Sequence, residues 1–398
     1  MTSRLAQEVR VIDADTHMTE RHDLFTSRAP AKYADLVPHV VQVDGRPHWI
    51  VGEKNYDMGP ARAGGVIDRQ GNKYAFEECK LNPIEWVHEA AWDPEKRLAL
   101  MDECGVYAQV LYPNAVGIGG QHLVHGTDDE ALRQVCIQIY NDYMAEVQEK
   151  SGHRFLPMPI LPAWDVAACV RETERLVGLG FRGVNMTMDP QDSGAPDYAS
   201  RYWDPLWAAC ADLSMPVHFH IASSLTANSF YGKYFWPSVH QNLKPAIGGA
   251  MHFINNGRMV INSIYSGIFD RHPKLKFVSV ESGIGWIPFI LEAADYEIIE
   301  NAPEQAAELS RKPSEYFRDH WYGTFWFEDN FGDLQYLIDK VGEDNVLFET
   351  DFPHPTCMYP DPLGTVEAKM LTLRPETRRK VLGENAARLY RLNSGESS

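Results

Sequence analysis

The sequence lacks several features that would identify common classes of protein. It contains no G-x-G-x-x-G and no G-x-x-x-x-G-K-[ST] phosphate loop, which disfavours an open, doubly wound α/β sheet. No apolar run approaches the roughly 18 residues that a membrane-spanning helix needs. Residues 1–11 also lack the basic and then apolar layout of a signal peptide. We therefore expect a cytoplasmic protein that does not associate with membranes.

Cysteine is scarce and irregularly placed. The six cysteines include no C-x-x-C pair and have no regular spacing, so neither disulfides nor a cysteine-based zinc site is indicated. Basic residues are also few, because 37 Lys and Arg face 55 Asp and Glu, which gives a net charge of −18. Such a charge repels nucleic acids and anionic membrane surfaces, so we expect neither as a partner.

Strand-like and helix-like segments alternate along most of the 398 residues. Eight strands in such an alternation predict parallel βαβ units that close into a (β/α)8 barrel. We expect a single barrel domain over residues 1–398, although the length also allows two ordinary domains. The predicted strands are Val11–His17, Tyr107–Tyr112, Phe155–Leu161, Gly183–Met188, Pro216–Ile221, Leu275–Val280, His320–Trp326 and Asn345–Asp351.

A long insertion, residues 18–93, separates the first strand from the regular part of the chain. A structureless loop of this length is unusual in a compact domain, so we expect a lid or small subdomain near the site. Within it, Val41–Val43 and His48–Val51 flank Asp44-Gly45-Arg46-Pro47 and predict a hairpin.

Acids and histidines cluster at three predicted strand ends. In a barrel, chemistry takes place at the carboxyl ends of the strands. Asp15 and His17 share a face of the first strand, His220 ends the fifth, and Asp351 ends the eighth. Carboxylate and neutral imidazole together suit zinc or a similar divalent metal. The alternatives are a solvated loop histidine at position 17 and an ion pair of Asp351 with a nearby Arg or Lys.

Other polar residues are candidates for contacts with a substrate or with a reacting group. His218, Glu281 and His354 lie in or next to strands five, six and eight and are candidates for the catalytic group opposite the metal. The alternatives are a satisfied barrel-interior histidine for His218 and a buried salt bridge for Glu281. Three residues are candidates for binding a substrate carboxylate or for lining its pocket: Arg182, Asn185 and Ser223. Arg182 could equally face solvent.

An ordered set of short motifs resembles the amidohydrolase superfamily. The branch it resembles includes aminocarboxymuconate semialdehyde decarboxylase, γ-resorcylate decarboxylase and 5-carboxyvanillate decarboxylase. Each piece is weak alone, but together they run in family order over nearly the whole chain. The pieces are Ile12–His17, Pro216–His220, Ser266–Lys276, Glu281–Trp286, Phe348–Pro355 and Gly383–Tyr390.

The resemblance implies a distorted (β/α)8 barrel with one divalent metal on Asp15, His17, His220 and Asp351. Zinc is the expected ion, with manganese as the alternative. The resemblance also suggests a homodimer, for which the aromatic-rich segments 231–236 and 317–327 are candidate contacts. One departure is that Glu281-Ser282 stands where the first-named decarboxylase has a histidine.

Two reactions fit these residues. The first is non-oxidative decarboxylation of a small aromatic or unsaturated carboxylic acid, with Asp351 or a nearby water protonating the carbon that loses CO2. The second is metal-dependent hydrolysis of an amide or lactone, in which Asp351 takes a proton from the attacking water. We rank decarboxylation first because of the subgroup resemblance. A rival of a different class is a non-catalytic barrel that binds a small ligand, which predicts dispersed or metal-free candidate ligands.

Overall fold

The structure is a computed structural model that describes residues 3–233, 236–328 and 333–392. Two residues of the predicted contact segment 231–236, residues 234 and 235, lie outside these ranges. The described residues form the strands β1 Val11–His17, β2 His39–Val43, β3 Arg46–Val51, β4 Tyr56–Pro60, β5 Val106–Tyr112, β6 Phe155–Pro157, β7 Val184–Asn185, β8 Val217–His220, β9 Phe277–Val280, β10 Trp321–Phe325 and β11 Val346–Phe348.

Helices follow or connect these strands. They are α1 Arg4–Glu8, α2 Phe76–Cys79, α3 Pro94–Cys104, α4 Gln121–Gly126, α5 Glu130–Lys150, α6 Val166–Gly178, α7 Asp204–Asp212, α8 Leu225–Lys233, α9 Lys244–Tyr265, α10 Ile268–Arg271, α11 Ile287–Asn301, α12 Pro303–Ala306, α13 Pro313–His320, α14 Leu334–Val341, α15 Pro362–Met370, α16 Pro375–Arg379 and α17 Asn385–Leu389. None of the helices in the described ranges combines the length and the apolar character that crossing a membrane would require.

Eight of the strands form a distorted parallel barrel in chain order. β1, β5 and β6 make one parallel sheet, and β7 to β11 make a second. The sheets meet at single parallel bridges, one between Ile160 and Asn185 and the other between Thr16 and Phe352. The predicted α/β barrel is therefore confirmed, and its distortion lies at these two junctions.

The strands are shorter than predicted where local chemistry interrupts the ladder. The third strand ends at Pro157 because Pro157 and Pro159 have no N–H to donate. The eighth ends at Phe348, and Asp351 beyond it adopts φ +57°, outside the extended region. The bounds of helix α3 follow from local signals, since Asp93 caps its first turn and Gly105 ends it at φ +74°.

The insertion after β1 contains a three-stranded antiparallel sheet in the order β2, β3, β4. The predicted hairpin is present, with Asp44 and Gly45 at positive φ in the turn between β2 and β3. The insertion also reaches the loop that follows β11, where the N–H of Val66 donates to the carbonyl of Pro353 at 3.0 Å. It thus packs on the loop that carries Asp351.

Asp13, two residues before Asp15, ties three barrel strands together. Its side chain is fully buried and accepts hydrogen bonds from Gln109 Nε2 at 3.0 Å, Thr350 N at 2.9 Å and Thr350 Oγ1 at 2.6 Å. Burial raises the pKa of Asp13 to about 7, although these donors lower it. The residue therefore links β1 to β5 and to the segment that follows β11.

Replacing Asp13 with alanine is expected to lower the free energy of unfolding by about 3 kcal/mol, because it leaves several buried donors without an acceptor. Denaturant unfolding of the metal-free protein measures this change. Asp102→Ala is the control, since Asp102 is exposed and, among the described residues, forms its ion pair with Arg154 alone. A loss below about 0.5 kcal/mol for Asp13→Ala would contradict the structural role.

Candidate metal centre

Acids and histidines from four barrel strands converge at the carboxyl end of the barrel. Asp15 and His17 come from β1, His220 ends β8, Glu281 directly follows β9, and Asp351 lies in the loop after β11. Glu281 and Asp351 adopt φ of +51° and +57°. This conformation costs a non-glycine residue about 1 kcal/mol, and such strain concentrates at functional sites. The backbone is thus bent where it carries the two acids.

Several pairs of candidate ligand atoms lie at or slightly beyond the separations expected around a single ion. Nε2 of His17 is 3.2 Å from Nε2 of His220 and 3.6 Å from an oxygen of Asp15 and from one of Asp351. Nε2 of His220 is 3.5 Å from Asp15 and 3.4 Å from Glu281. Two atoms that each lie about 2.1 Å from one metal are about 3.0 to 3.4 Å apart, depending on geometry.

Both histidines direct a free ring nitrogen at the centre. Nδ1 of His220 contacts the carbonyl of Ile221 at 2.8 Å, and Nδ1 of His17 contacts that of Pro113 at 3.4 Å. Since a carbonyl only accepts, each Nδ1 carries the proton and each Nε2 presents a lone pair. Metal-bound histidines are oriented in this way, and two facing lone pairs need a cation between them.

The acids also have unused oxygen atoms. Within the described part of the chain, both carboxylate oxygens of Asp15 and Oδ1 of Asp351 are buried and accept no hydrogen bond. Burial without partners costs several kcal/mol for an ionised group, so these atoms require a cation or a proton. The donor set and the orphaned oxygens both fit a divalent metal ion.

The pKa shifts of the cluster also indicate that its buried acids need a cation or a proton. Burial, followed by the charges of Asp351 and Asp13, raises the pKa of Asp15 well above its ordinary value. Burial and the neighbouring acids also raise the pKa of Glu281 well above normal. Burial lowers the pKa of His220 to about 4 and that of His17 well below normal. The histidines are therefore neutral, as ligands must be.

His354, a predicted catalytic residue, lies beside the centre. Its Nδ1 is 3.1 Å from Oδ1 of Asp351, and its ring stacks on His17 with the centroids 3.7 Å apart. Its other nitrogen, Nε2, lies 2.9 Å from Oδ1 of Asn114. The amide nitrogen of Asn114 in turn donates to Thr19 Oγ1 at 3.1 Å, which fixes which end of the amide faces His354. Nε2 of His354 therefore carries a proton.

Sequence reasoning missed Asn114 and Thr356. Asn114 follows β5, so its place after a barrel strand was an available signal. Thr356 donates to Oδ2 of Asp351 at 2.6 Å, leaving Oδ1 for the centre and His354. Its position in a loop gave no such signal.

The other predicted residues lie away from the ligand cluster. His218 is fully buried in the barrel interior, where its Nδ1 contacts the hydroxyl of Tyr112 at 2.5 Å. Arg182 precedes β7, at the amino end of the barrel, and donates to the carbonyls of Tyr390 and Arg391. The structure does not bring either side chain to the cluster.

Asn185 and Ser223 lie near the carboxyl ends of β7 and β8 and connect loops there. Nδ2 of Asn185 donates to the carbonyl of Ile118, and Ser223 Oγ accepts from the backbone N–H of Met188 at 3.1 Å. Both side chains are buried. They hold the loops around the site, and their predicted contact with a substrate stays a prediction.

The sequence profile of the amidohydrolase family matches residues 12–392. The chain belongs to the amidohydrolase family. The predicted resemblance is thus confirmed. A curated γ-resorcylate decarboxylase of Polaromonas sp. (strain JS666) is 28% identical over 342 residues, which cover 80% of this chain and 97% of that protein.

Solved structures support the same amidohydrolase fold. An amidohydrolase from Mycobacterium avium subsp. paratuberculosis K-10 superimposes with a TM-score of 0.73 and 22% identity, covering 96% of this chain and 99% of the other. A dihydroxybenzoic acid decarboxylase from Polaromonas sp. JS666, solved with manganese and the inhibitor 2-nitroresorcinol, gives a TM-score of 0.63 at 20% identity, covering 97% and 98%. In the amidohydrolase barrel described above, Asp15 and His220 lie near His17, and so does Asp351. Their role as metal ligands stays a prediction.

Proposed function

We propose that this amidohydrolase is a metal-dependent, non-oxidative decarboxylase of a small aromatic or unsaturated carboxylic acid. The observation that carries the proposal is the position of Asp351, whose free Oδ1 lies between the ligand cluster and His354. The related γ-resorcylate decarboxylase, 28% identical, supports the choice of reaction.

Asp15, His17, His220 and Asp351 would hold one divalent ion, Mn²⁺ or Zn²⁺. When bound, the ion supplies Lewis acidity toward a substrate carboxylate or phenolate and fixes it in one orientation. The manganese in the dihydroxybenzoic acid decarboxylase structure supports Mn²⁺, whereas the sequence alone favoured zinc. The homodimer, the cytoplasmic location and the lid role of residues 18–93 stay predictions.

The chain's own residues supply the proton. When the bond to the carboxylate breaks, CO2 leaves and its bonding electrons stay on the substrate carbon. Protonated Asp351 donates a proton to that carbon, so the product carries C–H where the substrate carried C–COO⁻. His354 Nδ1 lies 3.1 Å from Asp351 on the more exposed side of the site. After Nδ1 takes up a proton from solvent, while Nε2 keeps its own, it is placed to return that proton to the carboxylate.

The direct test incubates the Mn²⁺-loaded protein with a panel of hydroxybenzoates and muconate-type acids and measures CO2. Release of CO2 from at least one compound, with the matching C–H product, is expected. If no compound releases CO2 while amides or lactones are turned over, hydrolysis is the correct reaction.

Asn114→Leu is expected to lower kcat for decarboxylation by about 10- to 100-fold, because His354 loses the acceptor that fixes its ring. KM should change little, since Asn114 acts through His354. Steady-state kinetics measure both values. Asn301→Leu is the matched control, because Asn301 is exposed on α11 and its side chain donates to Glu297 of the same helix. An Asn114→Leu enzyme with wild-type kcat would remove this positioning role.

Hydrolysis of an amide or lactone is the second candidate. The observation that favours it is Glu281, a third carboxylate at the centre, 3.4 Å from His220. Three carboxylates repel an anionic substrate more strongly than a neutral one, and Glu281 could take a proton from an attacking water. A neutral lactone panel run beside the acids distinguishes the two reactions.

A further inference from the structure

We infer that Glu281 is a further ligand of the metal ion, and that it shifts the preference of the centre from Zn²⁺ toward a hard, six-coordinate ion such as Mn²⁺. The inference rests on the divalent metal of the proposed function but not on the reaction. Three observations support it: the distance of Glu281 from the other candidate ligands, its backbone conformation and the burial of its side chain.

Glu281 belongs to both groups of four side chains whose ligand atoms all lie within 4.8 Å of one another. One group adds Asp15, His17 and His220 to it, and the other adds His17, Asp351 and His354. Its Oε2 is 3.4 Å from Nε2 of His220, which matches the separation of Asp15 from the same atom. Glu281 thus lies as close to Nε2 of His220 as the predicted ligand Asp15 does.

The backbone fixes Glu281 in this position. Its φ is +51°, and its N–H lies 3.0 Å from Thr324 Oγ1 and 3.3 Å from Glu349 Oε2. On the other side of this turn, Trp286 Nε1 donates to the carbonyl of Ser282 at 2.9 Å. A non-glycine residue persists at positive φ only where its surroundings determine it. The turn therefore presents the carboxylate to the cluster without a large rearrangement.

Glu281 also marks the open side of the centre. Its side chain is 13% exposed, whereas those of His17, His220 and Asp15 are 0% exposed. Within the described residues, its carboxylate makes no ion pair with Lys or Arg, and neither do those of Asp15 and Asp351. Three carboxylates so placed need a common cation.

The number and type of these ligands decide the class of metal. Both groups of four contain Glu281 and His17, so one ion held by both groups would also take Asp15, His220 and Asp351. Its ligands would then be three carboxylates and two imidazoles. Five protein ligands exceed the four of a tetrahedral zinc site, and carboxylate-rich sets suit Mn²⁺. An octahedral ion would keep one position for the substrate.

The test measures metal affinity without substrate. Metal-free wild type, Glu281→Gln and Glu281→His are titrated with Mn²⁺, followed by the EPR signal of the free ion, and with Zn²⁺ in competition with a chromophoric chelator. Glu281→Gln is expected to weaken Mn²⁺ binding at least about 100-fold and Zn²⁺ binding by much less, because four ligands remain. Glu281→His is expected to shift the preference toward Zn²⁺.

The matched control is Glu172→Gln. Glu172 is a buried acid on α6 that pairs with Arg175 at 2.7 Å and lies outside both ligand groups, so the Mn²⁺ affinity of this variant should stay within about threefold of wild type. X-ray absorption of Mn²⁺-loaded wild type, which needs no variant, is expected to show six-coordinate manganese.

Wild-type Mn²⁺ affinity in Glu281→Gln, an unchanged Mn²⁺ to Zn²⁺ preference in Glu281→His, or four-coordinate manganese would each overturn the inference. Because no substrate is used, these results are independent of the decarboxylase assay. Absence of CO2 release with the expected metal titrations would overturn only the proposed reaction.

Discussion

Asp351→Asn is expected to lower the rate of CO2 release by about 1,000-fold, because an amide cannot donate the proton that the substrate carbon needs. The same change also alters the carboxyl group whose Oδ1 lies 3.6 Å from Nε2 of His17. The folded state should persist, since the backbone N–H of Asp351 still donates to the carbonyl of Asp15 at 2.9 Å. Steady-state decarboxylation and thermal unfolding measure the two effects.

A second readout isolates the proton transfer. In D2O, wild type is expected to exchange the product's new C–H for C–D, because protonation of the carbon is reversible at the same acid. Asp351→Asn should lose this exchange, whereas Asp102→Asn, a change in an exposed ion pair with Arg154, should keep it. Decarboxylation within tenfold of wild type, or retained exchange, would remove Asp351 as the acid.

Removing the metal with a chelator is expected to abolish turnover and to lower the melting temperature by about 5 °C. An ion present at about 1,000 times its Kd stabilises the folded state by about 4 kcal/mol, and a chain of this size has a large unfolding entropy. The buried oxygens of Asp15 lose their counter-charge in the metal-free protein. Adding Mn²⁺ back should restore both properties.

The control for metal removal is the Asp15→Asn, His17→Ala double variant. Its melting temperature should not respond to chelator or to Mn²⁺, because β1 then lacks both of its candidate metal ligands. Full activity of wild type after exhaustive chelation, with no metal detected by elemental analysis, would contradict a metal-dependent reaction.

Much of the site follows from the alternation of side chains along a strand. Side chains two apart share a face, so Asp15 and His17 on β1 were predicted to point the same way, and their ligand atoms lie 3.6 Å apart. The same rule put His218 and His220 on one face of β8, but they lie about 6.6 Å apart along the strand. Of these two, His220 lies beside the other candidate ligands at the carboxyl end of the barrel, whereas His218 lies deeper in the barrel interior and contacts Tyr112.

Other residues needed information that no local pattern carries. Arg182 precedes β7, at the amino end of the barrel. Because chemistry takes place at the carboxyl ends of barrel strands, this position already disfavoured a contact of Arg182 with the substrate. Glu281 was predicted as a candidate for catalysis, but its distance to His220 depends on a turn at positive φ. The hydrogen bond between Asn114 and His354 joins residues 240 apart in the chain.

The sequence by itself determined the alternating architecture, the β2 to β3 hairpin, the family, and the strands that carry Asp15, His17, His220 and Asp351. These properties depend on the period of apolar residues and on residue type next to a strand end, which are local. The tertiary structure alone decided which side chains lie at the same height in the barrel and which nitrogen of each histidine faces the candidate metal centre. It also decided that Glu281 lies next to the other candidate ligands. Those depend on strand tilt, register and turn geometry, which set distances between segments far apart in the chain.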